Sequence, residues 1–233
     1  MARIITFASS KGGTGKSCVV ANLGVAMSRL GKRVMLLDAD ITMANLGLML
    51  GLEGRKITLH DVLAGEVGVS RAIYRGPEGV KVVPCGISLN GIQRAKIERL
   101  KKVVVELAKK TKFLFIDAPS GLDRDAIIAM TLAPEVILIT TPNILSLSNA
   151  LKTKIVAERL GVKPLGVIIN RITGGDLDLP IDEIKSVLEL PVLGMIPEDR
   201  EMRRAMALGE PVITHAPKSP STREFKRIAA ELK

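Results

Sequence analysis

Cysteine is nearly missing from this chain: Cys18 and Cys85 are the only two among 233 residues. Two thiols so far apart in sequence make neither a metal-binding framework nor a disulfide scaffold, so a reduced, cytoplasmic setting is expected. Long apolar runs are missing as well. No stretch approaches the roughly 18 apolar residues of a membrane span, and Met1-Ala2-Arg3 leads into a strand-like run with no signal-like segment before it. Any membrane contact is therefore expected to be peripheral, at the inner face of the membrane. Repeats and low-complexity tracts are lacking, and Gln93 is the single glutamine among many lysines and glutamates, a bias found in heat-adapted proteins.

What is present is apolar and basic. The chain is 47% hydrophobic, enough to bury a sizeable core, and α/β folds of this length stay undivided, so residues 1–233 are read as one domain. The net charge of +10 favours anionic partners, whether nucleotide, nucleic acid or acidic lipid, without choosing among them.

The pattern centres on Ser9-Ser10-Lys11-Gly12-Gly13-Thr14-Gly15-Lys16-Ser17, set between the apolar run 4–8 and a helical start at Val19. Strand, glycine-rich turn and helix in that order form a phosphate cradle, because free N–H groups of the turn and the positive end of the helix face one anion. In such a loop Lys16 reaches the β- and γ-phosphates, and the Ser17 hydroxyl binds Mg²⁺. The common spacing asks for glycine at position 10. This chain has Ser10, and what it matches is Lys-Gly-Gly-x-Gly-Lys-Ser, with a second lysine, Lys11, at the front.

Two acidic strand ends follow. Residues 33–37 read as a buried strand ending in Asp38-Ala39-Asp40, and residues 113–116 as another ending in Asp117, continued by Ala118-Pro119-Ser120-Gly121. Carboxylates at the C-terminal ends of parallel strands project where open α/β sheets bind ligands, and Asp117 can hold Mg²⁺ through water. Taken alone, Asp38 and Asp40 could instead cap a helix starting near Met43.

Together these motifs resemble the deviant Walker A ATPases of the MinD/ParA family. The resemblance runs from Arg3 to Lys233, and the runs 42–46 and 59–65 are similar to archaeal MinD-type members. It implies a cradle of Gly12, Gly13, Thr14, Gly15, Lys16, Ser17 and Cys18, and a Lys11 that reaches across a face-to-face dimer to the neighbour's nucleotide. It gives Asp40 the attacking water, Asp38 a place near the metal's water shell, and the Gly121 amide the γ-phosphate. Asn45 would lie near the partner's nucleotide. At the end of the strand 165–171, Asn170-Arg171 resembles the adenine-reading position, where an Asn offers one donor and one acceptor, and the backbone of Pro197, Glu198 and Asp199 would lie against the base.

Elsewhere the periodicity predicts short helices over 43–50 and 58–64 and strands over 79–84, 135–140 and 191–199. It predicts helices over 146–160 and 200–208, and an amphipathic helix through Ile97, Leu100, Val104, Leu107 and Ala108 with a basic outer face. Asn143 and Asn149 stand where MinD-type relatives usually carry acids. Ser221-Thr222-Arg223-Glu224 reads as a capping box before a closing core helix through Phe225, Ile228, Ala229 and Leu232, with Arg223, Lys226, Arg227 and Lys233 away from that face. Relatives usually continue into an amphipathic membrane tail. With the short apolar face packed inward, only weak, salt-sensitive contact with acidic membrane is expected.

The sequence therefore predicts a doubly wound, mostly parallel α/β sheet with helices on both faces. The resemblance implies an ATPase using ATP/ADP and Mg²⁺, dimerising with ATP, and acting with an unidentified protein partner in the spatial regulation of cell division. A partition ATPase binding DNA nonspecifically through its basic surface, and a nucleotide-binding scaffold with little turnover, are the alternatives. A cluster shared across a dimer, as in nitrogenase-reductase-like relatives, is excluded by where Cys18 and Cys85 fall.

Overall fold

A computed structural model describes residues 2–232; Met1 and Lys233, the latter assigned above to the basic side of the last helix, lie outside them. The strands are β1 (Arg3–Ala8), β2 (Val34–Asp38), β3 (Tyr74–Arg75), β4 (Lys81–Val83), β5 (Phe113–Asp117), β6 (Glu135–Thr140), β7 (Lys163–Ile172) and β8 (Val192–Pro197). They form one sheet in the order β3-β4-β2-β5-β1-β6-β7-β8, parallel throughout except for β3, which runs antiparallel to β4 at the edge. The helices are α1 (Lys16–Arg29), α2 (Leu59–Ala64), α3 (Leu89–Arg94), α4 (Leu100–Ala108), α5 (Arg124–Met130), α6 (Ile144–Arg159), α7 (Ile181–Leu188), α8 (Arg200–Ala207), α9 (Val212–His215) and α10 (Pro220–Glu231). The doubly wound α/β architecture is the one the sequence predicts.

The central strands are apolar on both sides because both faces of the sheet are covered. Ile5 and Phe7 of β1, Leu36 of β2, Phe115 of β5 and Ile137 of β6 share a core with α1 and α10, where Phe7 and Phe115 meet edge to face at 5.0 Å. The alternate residues Met35, Leu37, Leu114 and Ile116 pack with α2 and α4, and Val136 and Leu138 with α6 and α7. Among the described residues, no helix is long and apolar enough to cross a membrane.

Two local readings need correction. The stretch 43–50 is not a helix; only Leu48–Leu50 makes a single 3₁₀ turn. The preceding amides are taken by strand-end carboxylates: Met43 N–H donates to Asp40 Oδ1 at 2.8 Å and Leu46 N–H to Asp38 Oδ2 at 3.1 Å. Those bonds replace the i→i−4 ladder, so tertiary contacts override a helical periodicity.

The capping box at 221–224 is also displaced. Ser219 caps α10 by accepting the Thr222 N–H, and Pro220 sits in the first turn, where its missing N–H is harmless. Ser221 and Glu224 lie inside the helix and fasten it to the sheet: the Ser221 hydroxyl donates to Asp199 Oδ2 at 2.6 Å, and Met195 N–H donates to Glu224 Oε1 at 2.7 Å. The closing-helix reading itself holds, since Phe225, Ile228 and Ala229 are buried in the core. Asn143 caps α6 by accepting the Ser146 N–H at 3.0 Å.

Burial would raise the Asp199 carboxyl, but hydrogen bonds from the Ser221 hydroxyl and the Glu201 and Ser221 amides outweigh it and hold the group below its ordinary 3.8. A carboxyl lowered on folding stabilises above its unfolded value and loses that contribution as the pH falls through the folded one. Ser221→Ala should therefore cost about 0.5–1 kcal/mol at pH 7, the low end for a solvent-accessible acceptor. Urea unfolding should show the cost shrinking below about pH 4, near the unfolded Asp value. A cost that does not change with pH would assign it to packing.

Candidate functional site

The neighbouring strands β2, β5 and β1 end side by side, carrying Asp38, Asp117 and the loop 9–15, with Asp38 and Asp117 in register. Here the winding reverses, since β1 leads outward to β2 on one side while β5 leads to β6 on the other. Open α/β sheets bind ligands in the crevice such a reversal creates.

Gly13 and Gly15 turn the loop with φ of 83° and 85°, conformations that disfavour any side chain. Gly15 caps α1 with no side chain assisting, and the amides of residues 12–18 donate no hydrogen bond among the described residues. Free donors at the positive end of a helix make an anion site. A Cβ at Gly15 would also lie 2.3 Å from Asn170 Nδ2. That amide donates to the Thr14 carbonyl at 2.7 Å, so Asn170, buried near the end of β7, braces the loop. One of the two N–H donors of the Asn170 amide is thus committed to the loop, leaving the other and Oδ1. Arg171 follows at φ 61°, where the β7–β8 register shifts; backbone held in this region recurs at functional sites.

Behind the loop, Lys16 Nζ lies 2.5 Å from Asp117 Oδ1, the side chains 4% and 1% exposed. The ammonium therefore rests on the strand-end carboxylate. Asp117 Oδ2 is buried with no hydrogen-bond partner among the described residues. That free carboxylate oxygen and the Ser17 hydroxyl are hard donors of the kind Mg²⁺ takes alongside water and phosphate oxygens. The described residues contain no cluster of three or more His, Cys, Asp or Glu suited to a metal, and a site of this type does not require one.

Asp38, expected near the metal's water shell, has both oxygens engaged, Oδ1 by Asp40 N–H at 3.2 Å and Oδ2 by Leu46 N–H. Burial first, then the neighbouring Asp117, raise its carboxyl well above the ordinary value against the pull of Lys16. In this structure Asp38 shapes the segment that carries Asp40. Asp40 is half-buried, with Oδ1 accepting the Met43 amide and its second oxygen without a partner among the described residues. The Gly121 amide, expected on a γ-phosphate, donates to the Ser9 carbonyl at 2.9 Å, and glycine is needed there for its φ of 107°.

Three pockets meet along the loop. One of about 570 Å³ runs over Gly12, Gly13, Thr14, Gly15, Lys16, Ser17 and Cys18 to Asp40 and Asn45. A second, of about 270 Å³, brings Asn170, Arg171, Pro197, Glu198 and Asp199 together with Gly15 and Cys18. The third, of about 450 Å³, holds Lys11 beside Pro142, Asn143 and Leu177. Exposed Lys11 thus stands at the front of the loop, outside the pocket over the cradle. Burial pushes the Cys18 thiol up to about 12, so it is an inert wall, with Sγ 3.3 Å from Met202 Sδ. Sequence reasoning missed the walls supplied by Met202, Arg203 and Met206 of α8 and by Asp123 and Asp125 around α5. Nothing in their local pattern marks them, because they arrive from distant elements.

Comparison with known proteins agrees with this geometry. Residues 5–212 match the family described as the CobQ/CobB/MinD/ParA nucleotide binding domain. An uncharacterised ATP-binding protein of Methanocaldococcus jannaschii is 45% identical over 232 residues, covering 100% of this chain and 88% of that one. The cell division ATPase MinD of Pyrococcus furiosus superposes with a TM-score of 0.96 at 40% identity, covering 100% of this chain and 98% of that one. The septum site-determining protein MinD of Pyrococcus horikoshii, complexed with Mg-ADP, gives 0.96 at 38%, covering 100% and 96%. On its sequence, its sheet order and its glycine cradle over Lys16 and Asp117, the chain belongs to the CobQ/CobB/MinD/ParA family of nucleotide-binding domains.

Proposed function

We propose that the protein is a Mg²⁺-dependent ATPase that works as an ATP-controlled dimer, a switch in the spatial regulation of cell division. The observation that carries this reading is the division of labour between two lysines of one loop: Lys16 is buried against Asp117, while Lys11 is exposed outside its own cradle pocket. The Mg-ADP complex of the Pyrococcus horikoshii relative and the cell-division name of the Pyrococcus furiosus one support it.

In this reading the free amides of 12–18 hold the β-phosphate. Lys16 trades Asp117 for phosphate oxygens, and the Ser17 hydroxyl and Asp117 Oδ2 hold Mg²⁺ and its waters. When bound, Mg²⁺ neutralises charge on the β- and γ-phosphate oxygens. The unpartnered Asp40 oxygen orients the attacking water. Lys11 of a second copy supplies the charge that stabilises the transition state, as an arginine finger does. The base lies in the 270 Å³ pocket, where Asn170 Oδ1 accepts from its amino group.

A site completed by a second copy makes turnover depend on encounter. Phosphate release per protein molecule should therefore rise with protein concentration until the dimer saturates. A specific rate that stays flat over a hundredfold dilution would contradict a shared site.

A further inference from the structure

The sheet carries its charge unevenly from end to end. At the cradle, β2 and β5 finish on the acids Asp38 and Asp117, whereas at the far end the strands begin on cations. In sheet order that row runs through Arg75, which ends the antiparallel β3, Lys81 of β4, Arg33 before β2, Lys112 before β5, Arg3 of β1 and Lys163 of β7. Two acids lie near it, and both are answered: Glu135 of β6 by Arg3 at 2.7 Å, and Glu78 in the β3–β4 turn by Arg29 at 3.8 Å. Arg33, Arg75, Lys81, Lys112 and Lys163 are exposed and make no ion pair among the described residues. Other exposed cations do meet acids, as Arg124 meets Glu98 and Arg204 meets Glu201.

The fold does not ask for these charges. Helix C-termini attract cations, but sheets have only small net dipoles, so strand entries do not. Like charges on neighbouring strands repel, a cost that an anion lying across the strand ends removes. From β3 to β7 the row crosses six strand spacings, roughly 29 Å at about 4.8 Å each, which matches about eight base pairs of a duplex. A single strand is held by stacking on exposed rings. Here Phe113 packs against the core, and Tyr74 donates to the Ile57 carbonyl beneath Arg55. An interfacial membrane site combines charge with a contiguous apolar face. The exposed leucines at this end, Leu30 after α1 and Leu160 after α6, lie on opposite faces of the sheet, because α1 packs on Ile137 and α6 on the alternate residues Val136 and Leu138.

We infer that this end of the sheet is a docking surface for the phosphate backbone of a nucleic-acid duplex, held by Arg33, Arg75, Lys81, Lys112 and Lys163. Phosphate contacts position a duplex and carry no sequence information, so binding is indifferent to sequence. The cradle lies at the opposite ends of the same strands, so binding neither needs nucleotide nor blocks it. The surface therefore stands apart from the ATPase reading above.

The test is fluorescence anisotropy of a labelled DNA duplex, titrated with nucleotide-free protein over a range of salt concentrations. Four to five phosphate contacts should give log K against log salt a slope of about −4, a loss of roughly 250-fold over a fourfold rise in salt. Arg33→Glu with Lys112→Glu, checked for native circular dichroism, should make the slope shallower by about 2 and weaken binding at least about tenfold. Lys81→Gln with Lys163→Gln should show the same loss without charge reversal, and serves where the first pair does not fold. Lys218→Glu with Arg223→Glu carries the same net charge as the first pair but changes exposed cations at the start of α10, which Ser221 ties to Asp199 at the other end of the sheet; it should bind as the native chain does. No salt-dependent binding, equal loss in the two reversed pairs, or binding that appears only with Mg-ATP would overturn the surface. Sedimentation with phosphatidylserine vesicles is the second arm: tighter binding to them than to the duplex, lost in the Arg33 and Lys112 pair, would give the row to lipid headgroups and overturn the inference.

Discussion

Lys16→Ala should bind ATP on the order of 10²–10⁴-fold more weakly than the native chain, the equivalent of two lost charge-assisted hydrogen bonds to phosphate. A second effect follows from what Lys16 touches without a ligand. Its ammonium rests on Asp117, and Asp117 faces Asp38 across the β2–β5 pair, both acids buried. Removing the cation leaves two interior carboxyls with no counter-charge, and breaking a buried pair from one side costs about 3–5 kcal/mol. Asp38 is already held well above its ordinary 3.8, and losing Lys16 removes a cation that opposes this. A carboxyl raised on folding stabilises below its unfolded value and loses that contribution as the pH rises through the folded one. The variant should accordingly be weaker at pH 8 than at pH 5 relative to the native chain, as read by denaturant unfolding. Calorimetry showing near-native ATP affinity would remove Lys16 from the phosphates.

Lys11→Ala should behave in the opposite way, binding ATP with unchanged affinity but losing about 10³-fold or more in hydrolysis, the scale of a charge supplied in trans. The side chain is exposed and stands in the pocket next to the cradle, beside Pro142 and Leu177. Within its own chain it makes no ion pair among the described residues. Its removal therefore breaks no ion pair of the fold among the described residues, and the expected loss of turnover and of dimer together isolates the intermolecular role. Wild-type hydrolysis by this variant would reduce Lys11 to a solvated surface charge.

The parts of the site legible in the sequence are those that one strand and its next turn build alone. The loop, the Asp38 and Asp117 strand ends and Asn170-Arg171 each sit where a buried apolar run stops, and the sheet then brings those ends together. Their bonding was less legible. Asn170 points one N–H donor at Thr14, Asp38 spends both oxygens on loop amides, and the Gly121 amide goes to Ser9. Each partner lies on another element and is fixed by strand order rather than by local pattern. The same reason explains why 43–50 reads as a helix yet folds as a carboxylate-pinned loop, and why Ser221 looks like a cap yet holds Asp199. The two-residue strand β3 carries too little pattern to be found at all.

The central claim is that bound ATP assembles the dimer and hydrolysis releases it. Asp40→Ala tests it most directly, because this half-buried carboxylate stands beside the cradle and caps only the short turn at Met43, so its loss should stop turnover without emptying the site. Light scattering coupled to size exclusion, with Mg-ATP, with Mg-ADP and without nucleotide, should show a stable dimer with Mg-ATP alone and monomer in the other two. A variant that binds ATP yet stays monomeric in all three, or that still hydrolyses it, would contradict the account.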